Sequence, residues 1–332
     1  MGSRITMQRI AEEFNTSKVT VSRALNNKSG MSEELRSKII AYAGKTGYYV
    51  NQEKQINSLA FIVPVRFFLE YDRFYSVIHL HLNDLCQTQN RTLTVITVDY
   101  EQEQAGELPE PFFRKQFDGI FLVGECGERF VETVTRFNLP MVLIDFARLD
   151  TKSNCIMADN FELGYKAADF LIQNGHQKIG FVGDLRNRNY CDRYLGLQKA
   201  LYMRKLDPNP EYNIVTDDLQ TGLPMMNFTM PEKFPTAFVC SCDMLAFYLY
   251  EKLKAMNYRV PEDISIISFD NTEICNKMTP PLTSVEINKS DFALMAYQLM
   301  HEVALDHPSN PQKLFVDAEI VIRDSVKHIK NA

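Results

Sequence analysis

From Leu59 to the end of the 332-residue chain, short apolar runs alternate with amphipathic stretches, and this alternation constrains the fold more than any other feature. The apolar runs have strand length and cover residues 59–65, 92–98, 119–123, 141–145, 178–182, 237–240 and 265–269. Stretches with a helical pattern lie between most of them, including 74–87, 161–174, 190–204 and 244–256. Such alternation predicts parallel sheets covered by helices on both faces. About 270 residues exceed one sheet of this kind, so we expect two doubly wound lobes.

Three aspartates follow predicted strands of this body. Asp145 ends one strand, Asp270 follows another, and Asp243 comes shortly after a third. Sheets of this kind bind ligands where the strands deliver their carboxyl ends. The three carboxylates are therefore predicted to lie around a ligand pocket.

The N-terminal segment differs from the body in charge. Residues 1–57 contain nine lysines and arginines against five acids, a net charge of +4, which leaves −10 for the rest of a chain whose total is −6. A small basic head on an acidic body is typical of a polyanion-binding module joined to a second function.

The pattern of the head predicts three short helices. Thr6 can cap a first helix with apolar positions at Ile10, Ala11 and Phe14, and Asn15 suits the tight turn that follows. A second helix is predicted over 17–25, with Lys18, Val19, Ser22 and Arg23 facing outward, and a third begins at Ser32. Two short helices joined by a tight turn and supported by a third form a helix-turn-helix unit, whose second helix lies in the DNA major groove.

The sequence of the head resembles that of the lactose-repressor (LacI/GalR) family of bacterial transcription regulators. The resemblance lies in ITMQRIAEEFNTSKVTVSRALNN (5–27) and MSEELRSKIIAYAGKTGYYVN (31–51), and TVSRALN is its most specific part. The body resembles the family's effector domain, a cytosolic relative of periplasmic sugar-binding proteins. The matching segments, in family order, are MVLIDF, ADNFELGYKAADFLIQNGHQKIGFVG, DRYLGLQKAL, VPEDISIISFDNTE, PPLTSV and VIRDS.

This resemblance implies an N-terminal all-α helix-turn-helix head and an α/β body of two periplasmic-binding-protein-like lobes. We expect the DNA-binding domain over 1–50, a short linker over 51–58 and an effector-binding and dimerisation domain over 59–332. The first lobe is expected over about 59–158 and 286–313, and the second over about 159–285 and 314–328.

The resemblance also assigns the DNA contacts. Lys18 and Val19 occupy positions at which the family contacts base edges, and Arg23 reaches a base or phosphate from the next turn. A lysine can donate to guanine acceptors, whereas a valine can only touch a thymine methyl group. Short hydroxyl and amide side chains are suited to phosphate oxygens, and these are Thr6, Ser17, Thr20, Ser22 and Asn26.

The connector departs from the family pattern. Members usually insert a leucine from a hinge helix into the minor groove, but here the link is only NQEKQIN (51–57). Ile56 is its only apolar candidate for such a wedge. An ordinary flexible linker is favoured over a hinge helix.

In the body, the resemblance to the family's effector domain makes Arg193 and Asp270 the leading effector-binding candidates. A guanidinium can hold two vicinal hydroxyls or a carboxylate, and a carboxylate accepts from sugar hydroxyls. Asp145 matches a pocket position, and Phe74 is predicted to be either a platform for a ring or a core residue. Asp159 and Asp243 match positions used for helix capping or for pocket edges.

Three positions make the expected pocket less polar than a disaccharide site. Cys242 and Ile287 stand where amide side chains often bind ligand in the family, and Gly124 replaces a side chain that could reach in. The chain contains no tryptophan. The effector class stays open, with a sugar or sugar-like metabolite favoured.

The sequence disfavours two alternatives to a DNA-binding regulator, an enzyme and a stand-alone sugar-binding protein. An enzyme on this fold is disfavoured, because Gly124-x-x-Gly127 is not a dinucleotide fingerprint and no G-x-S-x-G or H-E-x-x-H motif occurs. A stand-alone sugar-binding protein is disfavoured because the N-terminus has a DNA-binding pattern instead of an export signal.

The predicted function is therefore an effector-controlled transcription regulator that acts as a repressor and needs no cofactor or metal. We expect a cytoplasmic homodimer on double-stranded operator DNA. The apolar faces of 74–87 (Tyr75, Ile78, Leu82) and 291–304 (Phe292, Met295, Leu299) are predicted to form either the dimer interface or the internal core. The seven cysteines, of which none is in a C-x-x-C pair, are predicted to be reduced core residues.

Overall fold

The computed structural model of the protein describes residues 6–25, 30–46, 56–67, 73–148, 153–216, 228–306 and 310–329. The chain divides into two compact units, Met1–Gln55 and Ile56–Ala332. Each unit has its own apolar core.

The described part of the head contains the three predicted helices, α1 (Met7–Glu13), α2 (Lys18–Leu25) and α3 (Glu33–Lys45). The Thr6 and Ser32 side chains accept from backbone N–H groups of Arg9 and Leu35 and so cap α1 and α3. Asn15 adopts the left-handed conformation (φ 48°) at the turn between α1 and α2. The inward faces meet in a small core of Ile10, Ala11, Val21, Ala24, Ile39 and Ala43. The predicted helix-turn-helix unit is confirmed.

The body contains two sheets. Its strands are β1 (Ser58–Pro64), β2 (Thr92–Val98), β3 (Gly119–Val123), β4 (Met141–Ile144), β5 (Cys155–Ala158), β6 (Ile179–Val182), β7 (Ala237–Cys240), β8 (Ser265–Phe269), β9 (Thr283–Ile287), β10 (Lys313–Val316) and β11 (Ala318–Val321). Its helices are α4 (Phe74–Thr88), α5 (Tyr100–Ala105), α6 (Glu110–Phe113), α7 (Glu128–Thr135), α8 (Asn160–Gln173), α9 (Arg188–Met203), α10 (Asp243–Ala255), α11 (Ile274–Lys277) and α12 (Lys289–Asp306).

Each sheet forms one lobe. The first-lobe sheet has the order β10-β5-β4-β3-β1-β2 and is parallel throughout. The second-lobe sheet has the order β11-β9-β8-β7-β6, and only the β11–β9 pair is antiparallel. Central strands such as β3 and β8 are buried at every residue because helices cover both faces of the sheet.

All seven predicted strands are present, each within one residue of its predicted bounds. The prediction missed β5, β9, β10 and β11. Three of these have only four residues, and β10 and β11 are half-exposed edge strands, so neither produces a continuous apolar run.

Within the described residues, the chain crosses between the lobes three times. The crossings follow β5, β9 and β10, since each of these strands is followed by an element of the other lobe. The second and third crossings lie two and three residues later than predicted, because β9 continues to Ile287 in the second lobe and β10 to Val316 in the first.

The predicted linker is too long at its C-terminal end. Ile56 is buried in the core of the body, and the backbone N–H groups of Asn57 and Ser58 donate to the Asp118 carboxylate at 2.8 and 2.9 Å. Residues 56–58 therefore belong to the body, and Ile56 is not available as a minor-groove wedge in this arrangement. Residues 51–55 lie outside the described residues.

The apolar faces proposed for dimerisation are part of the internal core. Ile78 and Leu82 of α4 are fully buried, as are Phe292 and Leu299 of α12, where the two helices pack together. Of the two predicted roles for these faces, the structure therefore supports the core.

The cysteines also lie where the sequence predicts. Six of the seven are buried and Cys191 is half-buried. None of the seven, all within the described ranges, forms a disulfide. Burial raises the pKa of the Cys86 thiol to about 11, so it stays protonated at neutral pH.

A buried histidine connects the C-terminal segment to the second lobe. The His176 ring is within hydrogen-bonding distance of the Thr236 hydroxyl (3.0 Å) and of the Lys327 carbonyl (3.2 Å). Burial lowers the pKa of His176 to about 4. The neutral ring is therefore the form that the folded protein accommodates.

We expect the free energy of unfolding to fall as the pH drops from about 6.5 towards 4, because the unfolded histidine (pKa about 6.5) then binds a proton that the folded one does not. His176 accounts for a loss on the order of 2–3 kcal/mol by pH 4.5. Urea unfolding across this range should show a shallower pH dependence for His176→Gln than for wild type. His81→Gln, at an exposed position on α4, is the control and should keep the wild-type slope. Equal slopes for wild type and His176→Gln would contradict the assignment.

Candidate functional site

The outer face of α2 is the candidate DNA-contacting surface. Lys18, Val19 and Arg23 are exposed, and Val19 is 62% exposed although it is apolar. Val21 and Ala24 of the same helix are fully buried, which fixes the direction of the exposed face. An exposed valine between two basic side chains can contact a thymine methyl group while its neighbours contact acceptors or phosphates.

Two predicted phosphate contacts also cap helices. The Thr6 hydroxyl accepts from Arg9 N at 3.3 Å, and the Ser17 hydroxyl accepts from Thr20 N at 3.1 Å. Ser17 Oγ lies 2.9 Å from Thr20 Oγ1 as well, so these two hydroxyls are coupled at the N-terminus of α2. Ser22 is half-buried. Asn26 lies outside the described residues.

In the body, β4 and β8 end at the boundary between the two lobes, called the cleft here, which is crossed by hydrogen bonds from Asn189 to Asp145. The first lobe contributes Asp145, directly after β4, with its backbone in the left-handed region (φ 65°). The second lobe contributes Asp270, directly after β8 (φ 97°), and Arg193 from α9. Two predicted effector residues, Asp145 and Asp270, thus lie directly after strands that end at this cleft, and the third, Arg193, comes from helix α9.

Arg193 is the central cation of the cleft and is only 3% exposed. Its Nε donates to Asn160 Oδ1 at 2.8 Å, and its Nη1 donates to the Ser241 carbonyl. Its Nη2 lies 3.5 Å from Asp270 Oδ1. Arg193 therefore has its hydrogen-bond and charge partners at the cleft.

A close helix contact brings Arg193 to this place. A Cβ atom on Gly164 of α8 would lie 2.0 Å from the Arg193 carbonyl oxygen, so only glycine allows α8 and α9 to approach so closely. The approach sets the guanidinium beside Asn160, the first residue of α8.

Asp145 joins the two lobes. Its Oδ2 accepts from the Tyr75 hydroxyl at 2.7 Å and from Asn189 Nδ2 at 3.0 Å, and Asn189 also donates to the Asp145 carbonyl. Tyr75 belongs to the first lobe and Asn189 to the second. Sequence reasoning missed Asn189, although it lies one helical turn before Arg193 and so shares its helix face.

Further contacts cross the cleft at its rim. Arg188, the first residue of α9, donates from its backbone to Glu125 Oε2 at 3.0 Å and from its guanidinium to the Ala147 carbonyl. At another point Arg73 of the first lobe lies 3.2 Å from Glu273 of the second. Charge-assisted hydrogen bonds therefore hold the lobes together.

Asp243 has a different role from the predicted one. Its Oδ1 accepts from the Ser268 and Ser284 hydroxyls, and its Oδ2 accepts from the backbone and hydroxyl of Thr272. A carboxylate offers about four acceptor sites, and protein donors occupy all of them here. Asp243 thus connects β8, β9 and α10 as a scaffold, which corrects its assignment as an effector contact.

Two other predicted residues have structural roles. Asp159 is the N-cap of α8 and accepts from Glu162 N at 3.0 Å, which is the capping alternative. Phe74 is only 4% exposed and packs edge-on against Tyr75 and Phe292, which favours its core role over an open platform.

Phe67 is an unpredicted aromatic residue of the cleft wall. It follows β1, lies 5.4 Å from the Tyr75 ring, and covers Gly124 at the end of β3. The departure from the family pattern at Gly124 thus has a physical reason, because the Phe67 ring fills the space above it. The only sequence signal was the glycine itself.

A buried ion pair supports this wall. Arg66 is paired in bidentate fashion with Glu103, which is 3% exposed, and also donates to the Glu125 carbonyl at 2.8 Å. Burial by itself would lower the pKa of Arg66, but the hydrogen bonds and charge of Glu103 outweigh it and raise the pKa. Arg66 therefore stays charged and connects Glu103 to Glu125. The carboxylate of Glu125 in turn accepts from the backbone of Arg188.

The cleft has the chemistry of a binding site. Carboxylates, a guanidinium, an amide and a phenol converge there, which suits a polar ligand with several hydroxyl groups. Over the described ranges, no cluster of three or more His, Cys, Asp or Glu side chains could hold a metal ion. In the same ranges no helix is both long and apolar enough to span a membrane.

A helix-turn-helix head with an exposed recognition helix, and a two-lobed body with a polar cleft, define the class of effector-responsive DNA-binding regulators. Residues 6–51 match the family described as "Bacterial regulatory proteins, lacI family", and residues 168–326 match the "Periplasmic binding protein-like domain". The chain belongs to the LacI family and is a DNA-binding transcriptional regulator.

Curated relatives match over nearly their whole length. The HTH-type transcriptional repressor PurR of Actinobacillus pleuropneumoniae serotype 3 is 28% identical, over 98% of this chain and 99% of that protein. The ribose operon repressor of Haemophilus influenzae is 25% identical over the same shares.

Solved structures support the fold. A transcriptional regulator CelR–cellobiose complex superposes with a TM-score of 0.67 at 18% identity and covers 97% of this chain and 100% of its own. A LacI family transcriptional regulator from Enterococcus faecium with bound ribose has a TM-score of 0.66 at 21% identity and covers 82% of this chain and 100% of its own.

The contact between Gly124 and Phe67 gives a test of the cleft wall. A Cβ atom on Gly124 would lie 2.5 Å from the Phe67 ring, and its backbone is in the left-handed region (φ 72°). We expect Gly124→Ala to lower the free energy of unfolding by about 2 kcal/mol, from backbone strain and overpacking together.

A double-mutant cycle with Phe67→Ala separates the two causes, because removing the ring relieves the steric part only. Gly127→Ala is the control, since its Cβ atom would meet nothing closer than 3.7 Å and it should cost at most about 1 kcal/mol. Strict additivity of the two changes would rule out the proposed contact.

Proposed function

We propose that this protein is a repressor whose affinity for operator DNA is set by a small molecule bound between the two lobes of its body. The observation that carries the proposal is that one chain contains both an exposed basic face on α2 of the head and a group of buried charged residues in the body. That group consists of Arg193, Asp270 and Asp145. The first surface suits a nucleic acid, and the second suits a polar metabolite.

In the head, Lys18, Val19 and Arg23 contact base edges, with phosphate contacts from the hydroxyls of Thr6, Ser17, Thr20 and Ser22 and the Asn26 amide. One head offers few phosphate contacts, so its affinity alone is low and salt-dependent. The protein therefore acts as a homodimer on a pseudo-palindromic operator, whose half-sites lie about 34–36 Å apart. Linking two heads raises affinity through effective concentration.

The dimer surface on the first lobe is the outer side of α4, because its inner face is buried. Leu80 is 58% exposed there, and α4 lies beside the edge strand β2. An exposed leucine next to an edge strand is a surface that a second copy would cover.

The effector is a carbohydrate or a similar polyhydroxylated metabolite. Arg193 and Asp270 provide a donor fork and an acceptor from one lobe, while Asp145 and Tyr75 provide an acceptor and a hydroxyl from the other. Two of the similar solved structures contain ligands of this class, cellobiose in the CelR complex and ribose in the Enterococcus faecium regulator. Phe67 and Ile287 make the site less polar, which favours a small effector over a disaccharide.

The mechanism is a population shift in the cytoplasm. An effector that contacts both lobes stabilises one closure angle, and closure changes the spacing of the two heads. Contacts such as Asn189–Asp145 already join the lobes in the protein itself, so the effector competes with or adds to them.

Replacing Arg23 tests the DNA surface. We expect Arg23→Ala to weaken binding to an operator selected from random duplexes by at least tenfold, because each base contact contributes about 1–3 kcal/mol. Effector binding should not change. Lys38→Ala, on α3 and paired with Glu34, is the matched control and should bind like wild type. Operator binding by Arg23→Ala that equals wild type would reject the assignment.

Replacing Arg193 tests the cleft. A thermal-shift screen with sugars, sugar phosphates and purines should identify an effector, since ligand at 100 times its Kd adds about 2.7 kcal/mol of stability. Arg193→Met should weaken binding of that effector by about 3 kcal/mol and leave operator binding by the ligand-free protein unchanged. Arg204→Met, at the end of the same helix and paired with Asp169, is the control. An unchanged shift in Arg193→Met would remove Arg193 from the pocket.

A further inference from the structure

Lys289 occupies the second crossing between the lobes. It is the first residue of α12, which packs in the first lobe, and it follows β9 of the second lobe by two residues. Its side chain turns back towards the second lobe and is only 9% exposed. A lysine at such burial needs partners for its charge and for its three donors.

The second lobe provides those partners. Lys289 Nζ donates to the Asp270 carbonyl at 2.6 Å, to Glu286 Oε1 at 3.1 Å and to the Ile287 carbonyl at 3.4 Å. The shortest of these bonds ends on the backbone of the residue whose carboxylate faces Arg193.

Asp270 needs such support because of its backbone conformation. Asp270 (φ 97°) and Asn271 (φ 42°) are consecutive non-glycine residues in the left-handed region. Conformations of this kind cost on the order of 1–3 kcal/mol each and persist only where surrounding contacts hold them. Asp270 N donates to the Val285 carbonyl and Asn271 N to the Ser284 hydroxyl, both from the second lobe.

The same ammonium reaches the first lobe. Lys289 Nζ lies 5.5 Å from the centroid of the Phe74 ring, within the range of a cation–π contact. Phe74 is the first residue of α4 and packs on Phe292 of α12. One buried cation thus touches both lobes at the crossing.

We propose that Lys289 is a positioning residue of the effector site. Its ammonium holds the Asp270 backbone in the left-handed conformation and so aims the Asp270 carboxylate at Arg193 and the cleft. Because Lys289 starts a first-lobe helix, a change in lobe closure changes its hold on Asp270. Effector affinity and lobe closure are therefore connected through a residue that does not touch the effector. The proposal rests on the proposed function in that the cleft is the effector site.

The test compares Lys289→Met, which keeps the apolar stem and loses the charge, with Lys289→Arg, which keeps the charge. Lys277→Met is the control, at a side chain that is 74% exposed. Hydrogen exchange of the full-length protein is followed at residues 270–272. We expect exchange at least tenfold faster in Lys289→Met, within about threefold of wild type in Lys289→Arg, and unchanged in Lys277→Met.

Wild-type exchange in Lys289→Met overturns the proposal, as does exchange in Lys289→Arg that is as fast as in Lys289→Met. If Lys289→Met fails to fold, Lys289→Gln, which keeps a donor, is measured against the same outcomes.

Thermal shifts with ribose, sucrose and cellobiose provide the second readout. Any sugar that stabilises wild type should bind at least tenfold more weakly to Lys289→Met. Lys289→Arg should bind that sugar with an affinity close to that of wild type. A wild-type protein that responds to none of them counts against the carbohydrate effector, while the exchange rates still decide the role of Lys289.

Discussion

The body is organised around the buried charge of Arg193. Moving a guanidinium out of water costs several kcal/mol unless its hydrogen bonds are satisfied, so its partners must be placed precisely. Asn160, the Ser241 carbonyl and Asp270 come from three different elements of the second lobe. Each lies at the end or the start of an element that faces the cleft. The requirement to satisfy one cation thus fixes the geometry of the second-lobe half of the site.

The first lobe meets this half through neutral and charged hydrogen bonds, some of which lie at the rim. Asn189 and Arg188 extend from α9 to Asp145, Ala147 and Glu125. These contacts join the first turn of one helix to the ends of β3 and β4. Under the proposed mechanism, a ligand between the lobes alters the closure angle by changing hydrogen bonds of this kind.

Much of this site could be predicted from the sequence. The positions of Asp145 and Asp270 follow from strand ends and that of Arg193 from the family resemblance, and the structure places all three near the boundary between the lobes. The faces of α2 also follow from spacing, since a three-helix unit leaves only one side of that helix exposed. Asp243 was misassigned because sequence cannot show that four donors from Ser268, Thr272 and Ser284 already surround its carboxylate. Phe67 was missed because its relevance depends on its close contact with Gly124, where its ring takes the place that a side chain would need.

The sequence by itself determined the alternation of strands and helices, the three-helix head and the LacI family, because these depend on local periodicity and on motifs read along the chain. Only the tertiary structure decided which apolar faces are internal, where the body begins, and which aspartates are available to a ligand. The physical reason is that burial and hydrogen-bond occupancy depend on partners distant in sequence. Lys289 is an example, since nothing near it in the chain indicates that its ammonium ends on the backbone of Asp270.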